Sequence, residues 1–243
     1  AASSRVDDSP ALFAAVCDGM GGVEGGEVAS RLALDELLSR FSQLSSAAAV
    51  LPCAETLREA TLAADRRVRA AADADPFRKG MGTTLSALWI AGGRCAIAQV
   101  GDSRAYLWRE GSLTQLTEDQ TVLRSLEREG RVPVNPAVIA QFRSTLEQVV
   151  GGEGDLVPET LVCDVCEGDL FILCSDGFYD GLPSDALSVM LHRHAGHEDL
   201  DRLTRRLVKA SVCRSGRDNT TAVLAGLGRI RPRSSALLHR VLR

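Results

Sequence analysis

Short apolar runs bounded by Gly-marked turns recur along this chain, and segments with a helical period interrupt them. Residues 12–17, Leu-Phe-Ala-Ala-Val-Cys, read as a buried strand. A helix is expected from about Gly26, with Val28, Leu32, Leu37 and Phe41 near one face. A small-residue connector over 45–50 leads to a second helix over 55–73. Its inner face is Leu57, Ala60, Thr61, Ala64 and Val68. Asp75-Pro76 ends it, because the residue before a proline is driven out of the helical region. The period then shortens. Residues 83–90, 94–100, 105–109 and 113–116 predict strands, with turns at Gly92-Gly93 and Glu110-Gly111. A helix over 121–129 stops at Gly130. Residues 133–154 carry no period and read as an irregular functional flap. Strands return at 159–166 and 170–174, helices at 184–194 and 200–212, and a closing strand at 220–224. This order predicts an α+β fold of antiparallel sheets flanked by helix pairs rather than alternating βαβ units.

The chain has 243 residues with 45% hydrophobic content, enough for one substantial core. No Pro/Ser-rich linker divides it, so residues 1–228 are read as one domain and 229–243 as a basic tail. The tail carries Arg229, Arg231, Arg233, Arg240 and Arg243 without an acid, and is read as a solvated extension. A formal net charge of -4 and 4% aromatic content argue against nucleic-acid binding. A phosphate-handling site must then draw positive charge from metal or from a few Arg residues. No apolar run approaches the ~20 residues of a membrane helix. Seven Cys, an odd number and several within apolar runs, fit a reduced, cytoplasmic setting. Cys163-Asp164-Val165-Cys166 has redox or zinc spacing, but no second pair or His partner follows at finger spacing, so these are read as strand residues. His192, His194 and His197 fall at a helix end, where basic groups complement the dipole, rather than forming a zinc site.

Four acids close or open apolar runs in Gly- or Asn-marked turns: Asp18 before Gly19-Met20-Gly21-Gly22, Asp102 in Gly101-Asp102-Ser103, Asp176 in Ser175-Asp176-Gly177, and Asp218 in Arg217-Asp218-Asn219. One such Asp is ordinary turn chemistry. Four at strand ends suggest carboxylates converging on hard cations, and an all-carboxylate set favours Mg²⁺ or Mn²⁺ over Zn²⁺. On spacing alone the turn reading stays open.

Asp18-Gly-Met-Gly-Gly, Gly80-Met81-Gly82-Thr83-Thr84, Val100-Gly101-Asp102-Ser103-Arg104-Ala105-Tyr106, Cys174-Ser175-Asp176-Gly177 and Arg217-Asp218-Asn219-Thr220-Thr221 occur in that order. Together they resemble the metal-dependent Ser/Thr protein phosphatases of the PPM (PP2C) family, bacterial type, over nearly the whole chain. The resemblance implies a four-layer α-β-β-α sandwich and two Mn²⁺ or Mg²⁺ ions. Asp18 would bridge both ions, the Gly19 carbonyl would bind the second, and Asp176 and Asp218 would complete the first. Asp102 would join Asp176 at a weaker third ion. A metal-bridging water would attack the phosphorus of a phospho-Ser or phospho-Thr protein, in opposition to a Ser/Thr kinase. The cysteines would be dispensable to that chemistry; no Cys has an Arg six residues on, as Cys-dependent phosphatases require.

Three departures accompany the resemblance. The Asn-x-Asp segment that helps hold the second ion, and an upstream Arg that contacts phosphate, should end at or just before Ala1. Asp7 and Asp8 stand too close to Asp18 to replace it, so a truncated start, consistent with the missing initiator Met, is expected. Met20 stands where some members carry a His. The flap matches loosely, with Arg143 a weak candidate for substrate contact. The alternatives are a catalytically weak regulatory module and a phosphatase of anti-sigma antagonist proteins. A monomer is expected.

Overall fold

The computed structural model describes residues 11–21, 25–44, 52–196 and 199–228. The basic tail, His197 and the acids before Leu12 lie outside the described residues.

Two four-stranded antiparallel sheets stack face to face. The first has the order β1-β4-β5-β8: β1 (Leu12–Val16), β4 (Leu85–Ala91), β5 (Arg94–Val100) and β8 (Glu159–Asp164). The second has the order β10-β9-β6-β7: β10 (Ala222–Gly226), β9 (Leu170–Cys174), β6 (Arg104–Arg109) and β7 (Ser112–Gln115). The short strands β2 (Gly19–Met20) and β3 (Gly82–Thr83) pair beside them. Helices α1 (Gly25–Leu44) and α2 (Ala54–Asp73) cover the outer face of the first sheet. Helices α5 (Asp176–Gly181), α6 (Ser184–His194) and α7 (Leu200–Arg214) cover that of the second. Helices α3 (Val122–Arg128) and α4 (Pro136–Arg143) lie in the long crossing between β7 and β8. This is the α+β four-layer sandwich.

Strand parity explains why β9 reads as an unbroken apolar run and β4 as one broken only by Ser86. Their alternate residues enter two different cores, so neither face meets water. On β9, Phe171 and Leu173 fill the space between the sheets with Leu88, Ile90, Ile97 and Leu107. Its Leu170, Ile172 and Cys174 face Phe178, Leu187, Leu191, Leu203 and Leu207 of the helices. The third core lies between α1, α2 and the first sheet. There Phe41 stacks on Phe13 at 4.1 Å and tilts against Trp89 at 5.3 Å.

The α2 inner face is buried as expected, with Ala63 and Asp65 joining it. Asp65 is buried because its carboxylate accepts from Gly151 N at 2.7 Å and from Arg69 Nε at 2.8 Å. That pair ties the helix to the chain returning from the crossing.

On α1 the buried row is Ala29, Ala33, Leu37 and Phe41, while Val28 and Leu32 sit partly buried beside it. Alanines at the contact let the helix lie close to its neighbours; that favours the small row over the larger side chains nearby. The 83–90 run is split between β3 and β4, and the closing strand starts at Ala222 rather than 220. The 159–166 strand ends at Asp164, leaving Cys166 past its end. The 133–154 stretch is not wholly irregular, since it contains α4. Asn135 caps that helix through Ala137 N at 2.9 Å, and Pro136 occupies its first turn.

Leu37 is fully buried whereas its neighbour Leu38 is 45% exposed. Leu37→Ala should therefore cost about 2–5 kcal/mol, and Leu38→Ala no more than about 0.5 kcal/mol. Urea unfolding midpoints check the pair, and equal losses would refute this helix phase.

Candidate metal centre

Asp18 follows β1 and Asp102 follows β5, both in the first sheet; Asp176 follows β9 and Asp218 precedes β10, both in the second. The four acids thus come from turns of both sheets, and Asp18 is their hub. It shares a side-chain hydrogen bond with Asp176 and feels the charges of Asp176, Asp218 and Asp102. All sequence-predicted acids are therefore brought into one electrostatic cluster.

Each turn is fixed by hydroxyl and amide bonds. Thr84 joins the first pair. Its Oγ1 accepts from Asp18 N at 3.0 Å and shares a 2.7 Å hydrogen bond with Ser103 Oγ. Thr83 Oγ1 donates to Asp18 O at 2.9 Å, as does Thr84 N. Gln99 Nε2 donates to the carbonyls on both sides of Asp102, those of Gly101 at 3.1 Å and of Ser103. Gly101 takes a φ of 85°, which favours glycine, and a Cβ there would come within 2.9 Å of Thr84 Cγ2.

Ser175 joins the second pair. Its Oγ donates to Asn219 O at 3.3 Å and accepts from Thr221 N at 3.1 Å. Thr220 Oγ1 donates to Gly177 O at 3.2 Å. A Cβ on Gly19 would fall 1.9 Å from the Gly26 carbonyl oxygen, so only glycine lets the Asp18 turn lie against the start of α1.

Burial and neighbouring carboxylates raise Asp18, Asp102 and Asp176. Burial is the largest cause that lifts Asp18 from 3.8 to about 7, followed by the Asp176 charge and hydrogen bond and then Asp218 and Asp102. Asp102 also rises to about 7, through burial, Asp176 and Asp119. Asp176 rises through burial first and then Asp218. Arg104 eases Asp102, but it is itself held by Asp119, at 2.8 Å from Nε to Oδ1 and 2.6 Å from Nη2 to Oδ2. It also lies 3.5 Å over the Tyr179 ring. Crowded oxygen-only acids of this kind suit a hard divalent cation. Among the described residues, no three His, Cys, Asp or Glu side chains already close on one point as a finished cage.

Sequence reasoning found the acids but assigned no role to Thr84, Ser103 and Ser175, although each stands in a motif that drew attention. Asp119 was missed, and only its fixed partner Arg104 gave any signal. Arg143, at the end of α4, lines a groove of about 690 Å³ with Arg104, Thr117, Asp119, Arg124 and Glu159. His192 instead meets Ser188 O at 3.0 Å and the edge of Trp108 at 4.6 Å.

The layers and the acid rim describe a two-sheet sandwich with a cluster of carboxylates where the antiparallel sheets meet. The protein phosphatase 2C family profile matches residues 1–211, and the chain belongs to that family. It is 33% identical over 215 residues to the serine/threonine protein phosphatase PstP of Mycobacterium tuberculosis, covering 88% of this chain and 40% of that protein. It is 29% identical over 226 residues to the serine/threonine phosphatase stp of Listeria welshimeri, covering 87% of this chain and 89% of that one. The solved M. tuberculosis PstP/Ppp structure has a TM-score of 0.78 at 30% identity, covering 94% of this chain and 97% of that one. The PstP catalytic domain in complex with two manganese ions has a TM-score of 0.73 at 29% identity, covering 92% and 94%. The chain thus spans 40% of the length of the M. tuberculosis relative.

Thr84→Val keeps the shape but strands Asp18 N and Ser103 Oγ, which should cost about 1–3 kcal/mol and weaken Mn²⁺ binding. Urea unfolding and a Mn²⁺ titration check both. In metal-free protein the raised Asp18 and Asp102 hold protons that the unfolded chain releases. Their stabilising share is full below about pH 4 and is lost as pH rises through about 7. Metal-free wild type should therefore melt progressively lower across that window, and Asp18→Asn should show a shallower fall. Parallel slopes would refute the carboxylate cluster as their source.

Proposed function

We propose that this chain is a metal-dependent protein Ser/Thr phosphatase that hydrolyses phospho-Ser and phospho-Thr esters on proteins. The observation that carries this reading is Asp18, a carboxyl raised first by its burial and then by Asp176, Asp218 and Asp102, acids that come from turns of both sheets. Asp18 would lie between two Mn²⁺ or Mg²⁺ ions, with the Gly19 carbonyl on one and Asp176 and Asp218 on the other. Asp102 with Asp176 would hold a weaker third. Bound there, the cations lower the pKa of water and neutralise charge on the phosphoryl group in flight.

The chain's own residues set the geometry. Thr84, Gln99 and Ser175 hold the acid turns rigid, so little reorganisation remains for the reacting state. A thiol nucleophile is disfavoured near the centre. Burial, with Asp18 beside it, pushes Cys17 up to about 12, and burial pushes Cys174 up to about 12 as well. Those thiols are therefore poor candidates for a cysteinyl-phosphate intermediate, which fits direct attack by water. The groove holding Arg143 is polar and lies past Asp119, beside Asp102. It suits the chain flanking a phosphorylated residue, with Arg143 as a charged contact. Phosphoproteins, a cognate Ser/Thr kinase, a monomeric state and a cytoplasmic setting complete the reading. Among the described residues no helix is long and apolar enough to cross a membrane.

Full-length protein with Mn²⁺ should hydrolyse p-nitrophenyl phosphate and a phospho-Thr peptide, and EDTA should abolish both activities. Asp18→Asn should lower kcat by about a hundredfold or more, the kinetic equivalent of several kcal/mol, with the fold intact by circular dichroism. EDTA-resistant turnover would overturn the metal-dependent mechanism. Tight Mn²⁺ binding without any turnover would favour the regulatory-module alternative.

A further inference from the structure

Antiparallel pairing of β5 with β8 sets Cys95 directly opposite Cys163. Both side chains face the core between the sheets, where Cys95 is fully buried and Cys163 packs against it, partly exposed. Val165 N donates to Gly93 O two positions along the same ladder. By the alternation of antiparallel pairs, Cys95 and Cys163 form a hydrogen-bonded pair with Cα atoms about 5.5 Å apart. A disulfide spans about 4.4–6.8 Å between Cα atoms. Cβ atoms of facing residues stand about 4.5–5.5 Å apart, and a disulfide needs about 3.5–4.5 Å. Closure therefore asks for a movement of about one ångström. The strand that would move, β8, is an edge strand with a neighbour on one side only.

The chemistry of the two sulfurs differs in the useful direction. The facing Cys95 thiol is the main reason that Cys163 sits below the usual thiol range. Burial opposes this, Arg109 supports it, and Asp169 and Asp164 oppose it. Cys163 is thereby the more nucleophilic and more accessible sulfur, and Cys95 is the buried resolving one. Arg109 is fixed in place by Asp169, at 2.7 Å to each carboxylate oxygen.

We propose that Cys95 and Cys163 form a reversible disulfide clip when the protein meets a peroxide. The Cys163 thiolate attacks one peroxide oxygen, the O–O bond breaks, and the other oxygen leaves as hydroxide and takes a proton. The Cys95 thiol then attacks the sulfenic sulfur, forming the S–S bond and releasing a second water. Two thiols and one hydrogen peroxide become one disulfide and two waters, with two electrons passing from sulfur to oxygen. The residual misfit between pair geometry and disulfide geometry makes the bond readily reducible, as regulatory disulfides are. The loop it closes includes β6, β7, α3, α4 and Arg143, and the strand it pins carries Glu159 of the groove.

The test treats full-length protein with hydrogen peroxide, alkylates remaining thiols and digests with trypsin. Cleavage at Arg94, Arg104, Arg143 and Arg193 places Cys95 on peptide 95–104 and Cys163 on peptide 144–193. The two peptides should appear joined, two hydrogens lighter than their sum, and dithiothreitol should part them. Cys166→Ser should keep the link, and Cys163→Ser should lose it while hydrolysing p-nitrophenyl phosphate like reduced wild type. Oxidised wild type should melt higher than reduced, a shift that Cys163→Ser lacks. A link persisting in Cys163→Ser, a bond to Cys166 instead, or Cys163 recovered only as sulfinic acid or unmodified would overturn the proposal. This readout is a mass and is independent of whether the phosphatase reading stands.

Discussion

Repulsion among carboxylates is the constraint around which this molecule is arranged. Asp18 carries the charges of Asp176, Asp218 and Asp102 on top of its own partial burial. Four acids so placed are costly at neutral pH unless a cation joins them or protons bind. The placement persists because apolar burial elsewhere supplies the stability that the cluster consumes. Function and stability oppose each other here, and the three cores settle the balance.

Those cores also dictate where the acids can stand. Strands buried on both faces leave no interior position for an unpaired charge, so the carboxylates sit at strand ends, where turns remain partly solvated. The turns then have to be held without the help of a ladder. Thr84 binds the Asp18 turn to Ser103, and Ser175 binds the Asp176 segment to the Asp218 turn. Each sheet contributes one such fastened pair. Arg104, paired with Asp119 and stacked on Tyr179, reaches from the second sheet to its covering helices beside them.

Much of the fold was legible because apolar period reports the number of covered faces. Strands β5 and β9 fall at the positions that the pattern predicts, and the α2 face is the expected one. The errors are instructive. Hydrophobicity alone chose Val28 and Leu32 on α1, whereas close approach chose Ala29 and Ala33. Helix α4 was missed although Asn135-Pro136 is a start signal; it spans only eight residues, too few for its Val138, Ile139 and Phe142 to register as a period, and none of its residues is buried. Helix α5 is only one and a half turns long, below what periodicity can register, and Asp176 stands at its start.

The sequence by itself determined the residue types that can act: four Asp in turns, the glycines that let those turns form, and apolar runs that forbid charge between them. Local chemistry suffices for that, since turn propensity and strand parity depend on neighbours in the chain. Only the tertiary structure decided which acids meet, which hydroxyls hold them, and that Cys95 faces Cys163. Those facts depend on strand order and register, which join residues far apart in sequence, and no local pattern encodes such a contact.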